Sequence, residues 1–487
     1  MTQARGDRLD AGLLRLIGVL LLGGLLGLLD STIVNVGMGT MARHFDTTLN
    51  TVGWVATGYL LAVSIAIPFT AWAVERFGSK KMWLIGLSLF VLGSLASGIS
   101  WNIESLIVFR VIQGFGGGML DPIMLTVLAK VAGPSRAGRV MGLMGIVIPL
   151  GPVLGPILGG VIIQGLDWRW MFLINLPIGL VAILLSLRVV PADPSSEERA
   201  STPLDIVGLA LLGPAFAILA FALSQAAGNA GFGAPPVVVA LILGAVLLVA
   251  YLVYAARVGV KAIIRLSLFR SRSFSASVTV MGLTGVMLFS MLFLVPLYQQ
   301  RVRGHEVLAA GLLLAPLGVG SFLAMPIAGR LSDKVGARRL APLGGLLIAL
   351  SAFAYTQADA RTSEVLLGLC AFVTGVGLGF IGAPTMGSLY RTLPGDAIAQ
   401  GTSALYIVNQ LGASLGTAVV ALLLQSQTDA GSTQVVAFQS ASWWVFAAAV
   451  AVLVSGWFLP GKTATAAAAE ERPAAQNDAQ DAVAAQG

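Results

Sequence analysis

Apolar residues run in long stretches along this chain, broken by short polar gaps where the charges gather. Each stretch matches the roughly 20 residues that a helix needs to cross a bilayer. Cutting at the gaps predicts fourteen helices. The first six lie near 12–38, 51–73, 82–100, 104–129, 138–163 and 170–190. Two follow near 206–225 and 236–256. The last six lie near 275–299, 307–329, 339–357, 364–388, 398–425 and 440–459. The expected fold class is all-α and polytopic, with transmembrane helices grouped six, two and six. The expected divisions are a cytoplasmic N-terminal tail at 1–11, a six-helix half at 12–190, a linker with two inserted helices at 191–260, a second six-helix half at 261–460, and a disordered cytoplasmic tail at 461–487, rich in Ala, Gln and acids.

Composition narrows the class. Of 487 residues, 57% are hydrophobic and only 10% charged, against about 25% charged in a soluble domain. Mean hydropathy is +0.89. A soluble enzyme, a disordered chain and a fibrous protein are excluded. A membrane β-barrel is disfavoured, because its strands alternate rather than run apolar. The net charge of +7 changes the picture through its placement. With the N-terminus inside, 23 of the 29 Lys and Arg fall in cytoplasmic segments. Arg43, Arg169, Arg301, Arg303 and Arg361 fall in outer loops, and Arg110 lies within a span. Both termini are therefore expected in the cytoplasm, and the basic balance calls for no nucleic-acid partner. Cys370 is the single cysteine, so no internal disulfide forms. His44 and His305 sit in separate short loops, so no metal site is expected.

The gaps contain an internal repeat. After the second stretch the chain reads AWAVERFGSKK (71–81), and after the tenth GRLSDKVGARR (329–339). Each carries an acid, a base, a Gly and a basic cluster in the same order. The two six-helix blocks are thus related by a parallel repeat, with helices seven and eight inserted between them. Repeated halves around a central site are a transporter architecture. Four further motifs follow in order: LDSTIVNV (29–36), RVIQGFGGG (110–118), GPVLGPILGG (151–160) and DWRWMFLINLPIG (167–179).

Together, over nearly the whole chain, these motifs resemble the major facilitator superfamily, in particular its fourteen-span drug:proton antiporter branch. Gly329 to Arg339 matches the family's loop motif closely. The first copy departs from it, with Ala71 for the Gly and Glu75 for the Asp. The 151–160 pattern is the one associated with antiporters. The resemblance implies a major facilitator fold in a bacterial inner (plasma) membrane. It implies a small amphipathic substrate, cationic or neutral, with protons as the coupling ion, no other cofactor, the lipid bilayer as surroundings, and a monomer.

Asp30 lies well inside an apolar run, where an ionised carboxylate is costly. Gly23, Gly27 and Asp30 share one helix face, and Gly23-xxx-Gly27 permits close helix contact. Asp30 is therefore expected to face protein, as the first candidate for proton coupling; a permanent ion pair or cap is the alternative. Arg110 is the natural counter-charge. The resemblance implicates it in proton coupling, while a static salt bridge between helices one and four remains open. Asp121 lies three turns further along the same face. It suits a second protonation site, a cation contact, or a partner for backbone groups freed by Pro122.

Gly151, Gly155 and Gly159 form one stripe, with Gly160 beside it and Pro152 and Pro156 on a second. Such a helix packs closely and bends. Glu75, Arg76, Gly78, Lys80 and Lys81, with Gly329, Asp333, Lys334, Gly336, Arg338 and Arg339, are expected as conformational latches. For the basic residues, the topology signal alone is the other reading. Candidate cavity residues are Asn35, Gln113, Asn175, Tyr298, Gln299, Tyr406, Asn409 and Gln410. Met119, Met124, Met287 and Met291 would give an adaptable lining. Taken singly, each of these reads more readily as packing or a helix–helix hydrogen bond than as a substrate contact.

GFGGG (114–118) and GVGLG (375–379) lie inside apolar spans, so phosphate binding is not expected. The reading is a proton-driven secondary exporter working by alternating access, and not an enzyme, since no nucleophile–base pair is visible. Export of an endogenous metabolite, siderophore or lipid is one alternative; a receptor or scaffold of transporter ancestry is another. Helices seven and eight carry almost no ionisable groups and are expected at the periphery.

Overall fold

The computed structural model describes residues 10–133, 136–144, 150–193, 204–227 and 231–461. Most of the expected N-terminal tail, the middle of the linker and the tail beyond Gly461 lie outside those residues. The first set of helices is α1 (Ala11–His44), α2 (Leu49–Phe77), α3 (Ser79–Gly98), α4 (Ile103–Ala132), α5 (Ala137–Met144), α6 (Leu150–Gly165), α7 (Trp170–Leu173) and α8 (Asn175–Val189). An inserted pair follows, α9 (Ile206–Ala227) and α10 (Pro235–Val258). The last set is α11 (Arg272–Arg301), α12 (Val307–Leu312), α13 (Ala315–Val335), α14 (Ala337–Thr356), α15 (Glu364–Thr392), α16 (Ile398–Asp429) and α17 (Gln434–Gly456). Among the described residues, 13 helical stretches are long and apolar enough to cross a membrane. The fifth predicted helix is not among them, because α5 and α6 flank residues 145–149, which are not described.

Local chemistry sets the helix ends. The Asp10 carboxylate accepts from the Leu13 N–H at 2.8 Å and starts α1. Asn102 and Ser105 form a reciprocal capping box at the start of α4. Both repeated gaps turn on one glycine in the left-handed region, Gly78 at φ 96° and Gly336 at φ 82°. A side chain would be strained there. Two predicted helices are divided at prolines. The sixth becomes α7 and α8 ahead of Pro177, and the tenth becomes α12 and α13 at Pro316. A proline ring removes one N–H from the helical ladder and crowds the preceding turn.

Burial grades the helices. Of the membrane-length window in α4, 72% is buried, against 17% in α10. α9 packs against both α2 and α16, and α10 packs on α9 at the outer surface. So α10 lies at the periphery as expected, whereas α9 bridges the two sets. After α10 the chain turns through Gly259–Lys261 into a short strap whose Ala262, Ile263 and Ile264 are buried. Asp205, just ahead of α9, accepts from the N–H of Gly208 at 2.7 Å, the Tyr254 hydroxyl at 2.6 Å and the N–H of Ile263 at 3.0 Å. The Tyr251 hydroxyl donates to the Ile264 carbonyl at 3.0 Å. The inserted pair is therefore fastened to the strap.

Candidate functional site

Close helix packing makes the site. A Cβ on Gly93 would lie 2.7 Å from Cα of Gln113, so only glycine lets α3 approach α4 this far. A Cβ on Gly116 would lie 2.6 Å from the Phe90 nitrogen. These contacts bring α1, α3, α4 and the start of α8 around one polar cluster. Its members, Asp30, Ser94, Arg110, Gln113 and Asn175, are all buried, with Asp30 at 0% exposure.

Arg110 Nη1 lies 2.5 Å from Asp30 Oδ2. The same nitrogen donates to Gln113 Oε1 at 2.9 Å, and Arg110 Nε donates to the Val55 carbonyl at 3.1 Å. The other Asp30 oxygen accepts from Gln113 Nε2 at 2.9 Å and from Asn175 Nδ2 at 3.1 Å. Both amides also donate to Ser94 Oγ, which itself donates to the Phe172 carbonyl. The guanidinium carbon sits 4.2 Å from the Tyr59 ring centroid, a cation–π contact. Every charge in the cluster is thus met by an opposite charge, a dipole or a ring. That matters because an uncompensated buried charge costs several kcal/mol.

The glycine stripe packs on α1 beside this cluster. A Cβ on Gly151 would lie 3.0 Å from Leu28 Cβ, and one on Gly159 would lie 3.0 Å from Val36 Cβ. One on Gly155 would overlap Thr32, whose hydroxyl donates to the Gly151 carbonyl at 3.0 Å. Gly160 faces open space. The side chains of Pro152, Pro156 and Asn35 lie outside the described residues. Asp121 is half-buried and faces α1, where a Cβ on Gly24 would lie 3.5 Å from its Oδ1. It makes no hydrogen bond or ion pair among the described residues.

The two repeated gaps tie the first set of helices to the last at one end of the bundle. Asp333 on α13 accepts from the Gly138 N–H on α5 at 3.1 Å and from Arg391 on α15 at 3.0 Å, and it pairs with Arg139 at 3.3 Å. A Cβ on Gly329 would meet the Gly138 backbone. Glu75 on α2 accepts from Gln400 on α16 at 3.1 Å, and Ser403 donates to the Ile67 carbonyl nearby at 3.1 Å. Lys80 is spent within the first set: Nζ donates to the Leu187 and Val190 carbonyls at 2.8 Å. Asp193 accepts from the N–H groups of Lys80 and Lys81, at 3.0 Å each. Arg76, Lys334, Arg338 and Arg339 are exposed.

The remaining predicted cavity residues are scattered. Tyr406 joins the large cluster that also holds Tyr59, Met119 and Met124. Asn409 donates to the Met281 carbonyl at 2.8 Å, tying α16 to α11, and Gln410 is half-buried one residue on. Tyr298 packs edge-on against Phe438 and donates to the Asp359 carbonyl at 2.6 Å, within the last set. Gln299 is buried beside it. Met287 and Met291 belong to clusters of that same set. The partners not singled out in the sequence are Ser94, Tyr59, Asp193, Gln400, Arg139 and Arg391. A serine or tyrosine in an apolar run carries no signal of its own. Asp193 and Gln400 stand next to gaps and read as ordinary solvated residues.

Comparison with known proteins agrees with the geometry. Residues 20–417 match the model of the Major Facilitator Superfamily. The chain is 38% identical over 423 residues to the multidrug resistance protein B homolog of Mycobacterium tuberculosis (strain ATCC 25618 / H37Rv), covering 86% of this chain and 78% of that protein. It is 30% identical over 394 residues to the multidrug export protein EmrB of Escherichia coli (strain K12), covering 80% and 76%. Among solved structures, the proton:xylose symporter XylE superposes with a TM-score of 0.65 at 18% identity, covering 92% of this chain and 96% of that one. The human organic anion transporter MFSD10 gives 0.63 at 15% identity, covering 92% and 100%. At that identity the likeness speaks for the fold, and with the family match and the two relatives it places this chain in the major facilitator superfamily.

Proposed function

We propose that the chain is a proton-driven multidrug exporter of amphipathic, cationic or neutral compounds, working by alternating access in a bacterial inner membrane. The names of the two relatives, a multidrug resistance protein homolog and a multidrug export protein, support drug export. In this reading α5 and α6 are parts of one span, giving fourteen helices grouped six, two and six in a monomer. The distribution of Lys and Arg supports both termini in the cytoplasm. The end held by Glu75 and Asp333 is then the cytoplasmic end, closed in this conformation.

The observation that carries the reading is the buried Asp30 carboxylate and its single cationic partner, Arg110. Protonating Asp30 removes the charge that Arg110 balances. The guanidinium keeps the Val55 carbonyl, Gln113 and the Tyr59 face, but an unbalanced charge at low dielectric is costly. α1 and α4 then favour a different mutual position. α1 passes that shift to α6, because Thr32 and the Gly151–Gly155–Gly159 stripe lock the two helices within two turns of Asp30. Substrate need not touch Asp30; it need only bias the same two-state equilibrium in the opposite sense. Inward protons also draw on the membrane potential, about 2.3 kcal/mol per charge per 100 mV. Asp121 offers a second carboxylate on α4 for a proton or a substrate cation. No step needs a cofactor beyond the proton.

The test is efflux of a fluorescent lipophilic cation from cells producing wild type or Asp30→Asn at matched levels, with and without a protonophore. Wild type should show protonophore-sensitive efflux that Asp30→Asn loses. Sensitive efflux that survives in Asp30→Asn moves coupling to Asp121. Efflux from wild type that ignores the protonophore defeats the proton-driven reading.

A further inference from the structure

At the end of the bundle that carries Gly78 and Gly336, α11, α14 and the turn after α17 enclose a cleft of about 420 Å³. Arg272, the first residue of α11, and Arg338, the second of α14, both line it. No acidic side chain does. Several other cations at this end have partners: Arg391 and Arg139 hold Asp333, Arg265 holds Asp396, and Lys80 holds two carbonyls, whereas Arg76, Lys334 and Arg339 are exposed outside the cleft. Arg272 and Arg338 have none among the described residues, although both are exposed. Two unpaired guanidinium groups share one recess, each at the positive end of a helix dipole. Such a recess fits a phosphate, which guanidinium binds in a forked geometry.

The walls distinguish a lipid phosphate from a soluble one. Ser275 and Ser455 donate inward to the Phe269 and Ala451 carbonyls, at 2.6 and 2.7 Å. Thr279 is exposed, leaving its hydroxyl for a glycerol or ester oxygen. Trp457 and Phe458 line the cleft and are 55% and 67% exposed. Val454, 53% exposed, continues that apolar strip up α17. Aromatic side chains at a helix end mark the level of the headgroups, and the strip leads from there into the hydrocarbon region.

We propose that this cleft binds an anionic glycerophospholipid, with its phosphate between Arg272 and Arg338 and its acyl chains along Val454 and Phe458. Arg338 stands in the same gap as Asp333, so a lipid held here fastens α14 to α11 next to the closed end. The binding does not depend on the transport reading.

The experiment uses the full chain, purified in detergent and reconstituted in nanodiscs of phosphatidylcholine with a minor share of phosphatidylglycerol. Retained lipid is read by mass spectrometry of the released complex. Wild type should enrich phosphatidylglycerol. Arg272→Gln with Arg338→Gln should lose that preference by about 30-fold, while Arg272→Lys with Arg338→Lys should keep most of it. Arg188→Gln with Arg257→Gln removes the same charge elsewhere and should lose less than about twofold. Thermal unfolding in lipid-free detergent checks that each variant folds. Should the double variant not fold, the two single Gln variants carry the test, each with a partial loss. The proposal fails if the Gln pair keeps the preference, or if the distant pair loses it equally. It fails too if inorganic phosphate displaces the lipid, which would mark a soluble-anion site. Enrichment seen only in a chain lacking 463–487 would assign the cleft to the chain's own tail, with Glu470 and Glu471, and would equally overturn it.

Discussion

Asp30 receives three side-chain donors, yet only Arg110 among them carries charge. The two amides keep their bonds to an asparagine or a protonated acid, so the ion pair is the part of the cluster that a proton can remove. Arg110→Ala leaves the carboxylate buried and unpaired, and should lower stability by about 3–5 kcal/mol. Adding Asp30→Asn to Arg110→Ala should restore most of that loss, since no lone charge remains. Thermal or denaturant unfolding in a fixed detergent measures both. Equal losses in the single and double variants would mean that packing, rather than charge, holds the cluster. The acid and base were legible because a charge inside an apolar run is rare and costly. Gln113 and Asn175 were legible as polar groups, but their convergence on one carboxylate was not. Spacing along one helix says nothing about which face of another it meets. Ser94 and Tyr59 were illegible for a related reason: neither carries a charge whose burial demands an account.

Among elements, the 151–160 stretch separates two kinds of glycine that the sequence presents alike. Gly155 lies against Thr32 on α1, whereas Gly160 faces nothing within 4 Å. Gly155→Ala should therefore abolish or severely reduce transport, with an overpacking cost of about 1–3 kcal/mol. Gly160→Ala should transport like wild type. Efflux assays at matched membrane levels decide this, and equal effects at the two sites would remove the packing account. The inserted pair shows the opposite limit of sequence reading. Its lack of charge suggested a peripheral position for both helices, which α10 has and α9, packed between α2 and α16, has not. It concealed the role of Asp205, which reads as a helix cap and also holds the strap through Ile263 and Tyr254. The strap in turn reaches the start of α16: the Arg265 N–H donates to Gln400 at 3.4 Å, and its guanidinium pairs at 3.1 Å with Asp396, in the turn just ahead of that helix. Asp205→Ala should loosen the strap, seen as faster amide hydrogen exchange over 259–266 than in α11 or α4. Unchanged exchange there would show that the buried Ala262–Ile264 segment holds itself.

At the scale of the molecule, one end is closed twice, by related segments that use different chemistry. Asp333 closes it with Arg139 and the Gly138 N–H of α5, while Arg391 of its own set holds the carboxylate in place; Glu75 closes it with a single amide, Gln400. The repeat and the glycine turns were plain in the sequence. The partners were not, because they come from α5, α15 and α16, and which helices of the two sets touch is decided only when the bundle assembles. The asymmetry predicts unequal effects. A hydrogen bond to a charged group contributes about 1.5–3 kcal/mol and a neutral one about 0.5–1.5, so Glu75→Gln gives up about 1 kcal/mol at one contact and Asp333→Asn that much at each of two, and 1.4 kcal/mol shifts a two-state population tenfold. Ser403, buried at the contact with Ile67, reports on this closure. The background is simple, since Cys370 is the single native cysteine and is itself buried. In a Cys370→Ala chain with Ser403→Cys, a membrane-impermeant maleimide applied to inverted vesicles should label slowly. Glu75→Gln should raise the labelling rate by less than about tenfold, and Asp333→Asn by more. The two changes together should approach the product of their effects, as independent contacts require. Rates that rise equally in all three chains would place the closure in the apolar packing of α5 and α13 instead. A Glu75→Gln effect larger than that of Asp333→Asn would make the amide latch the stronger one, and would put the switch next to α2 and the strap.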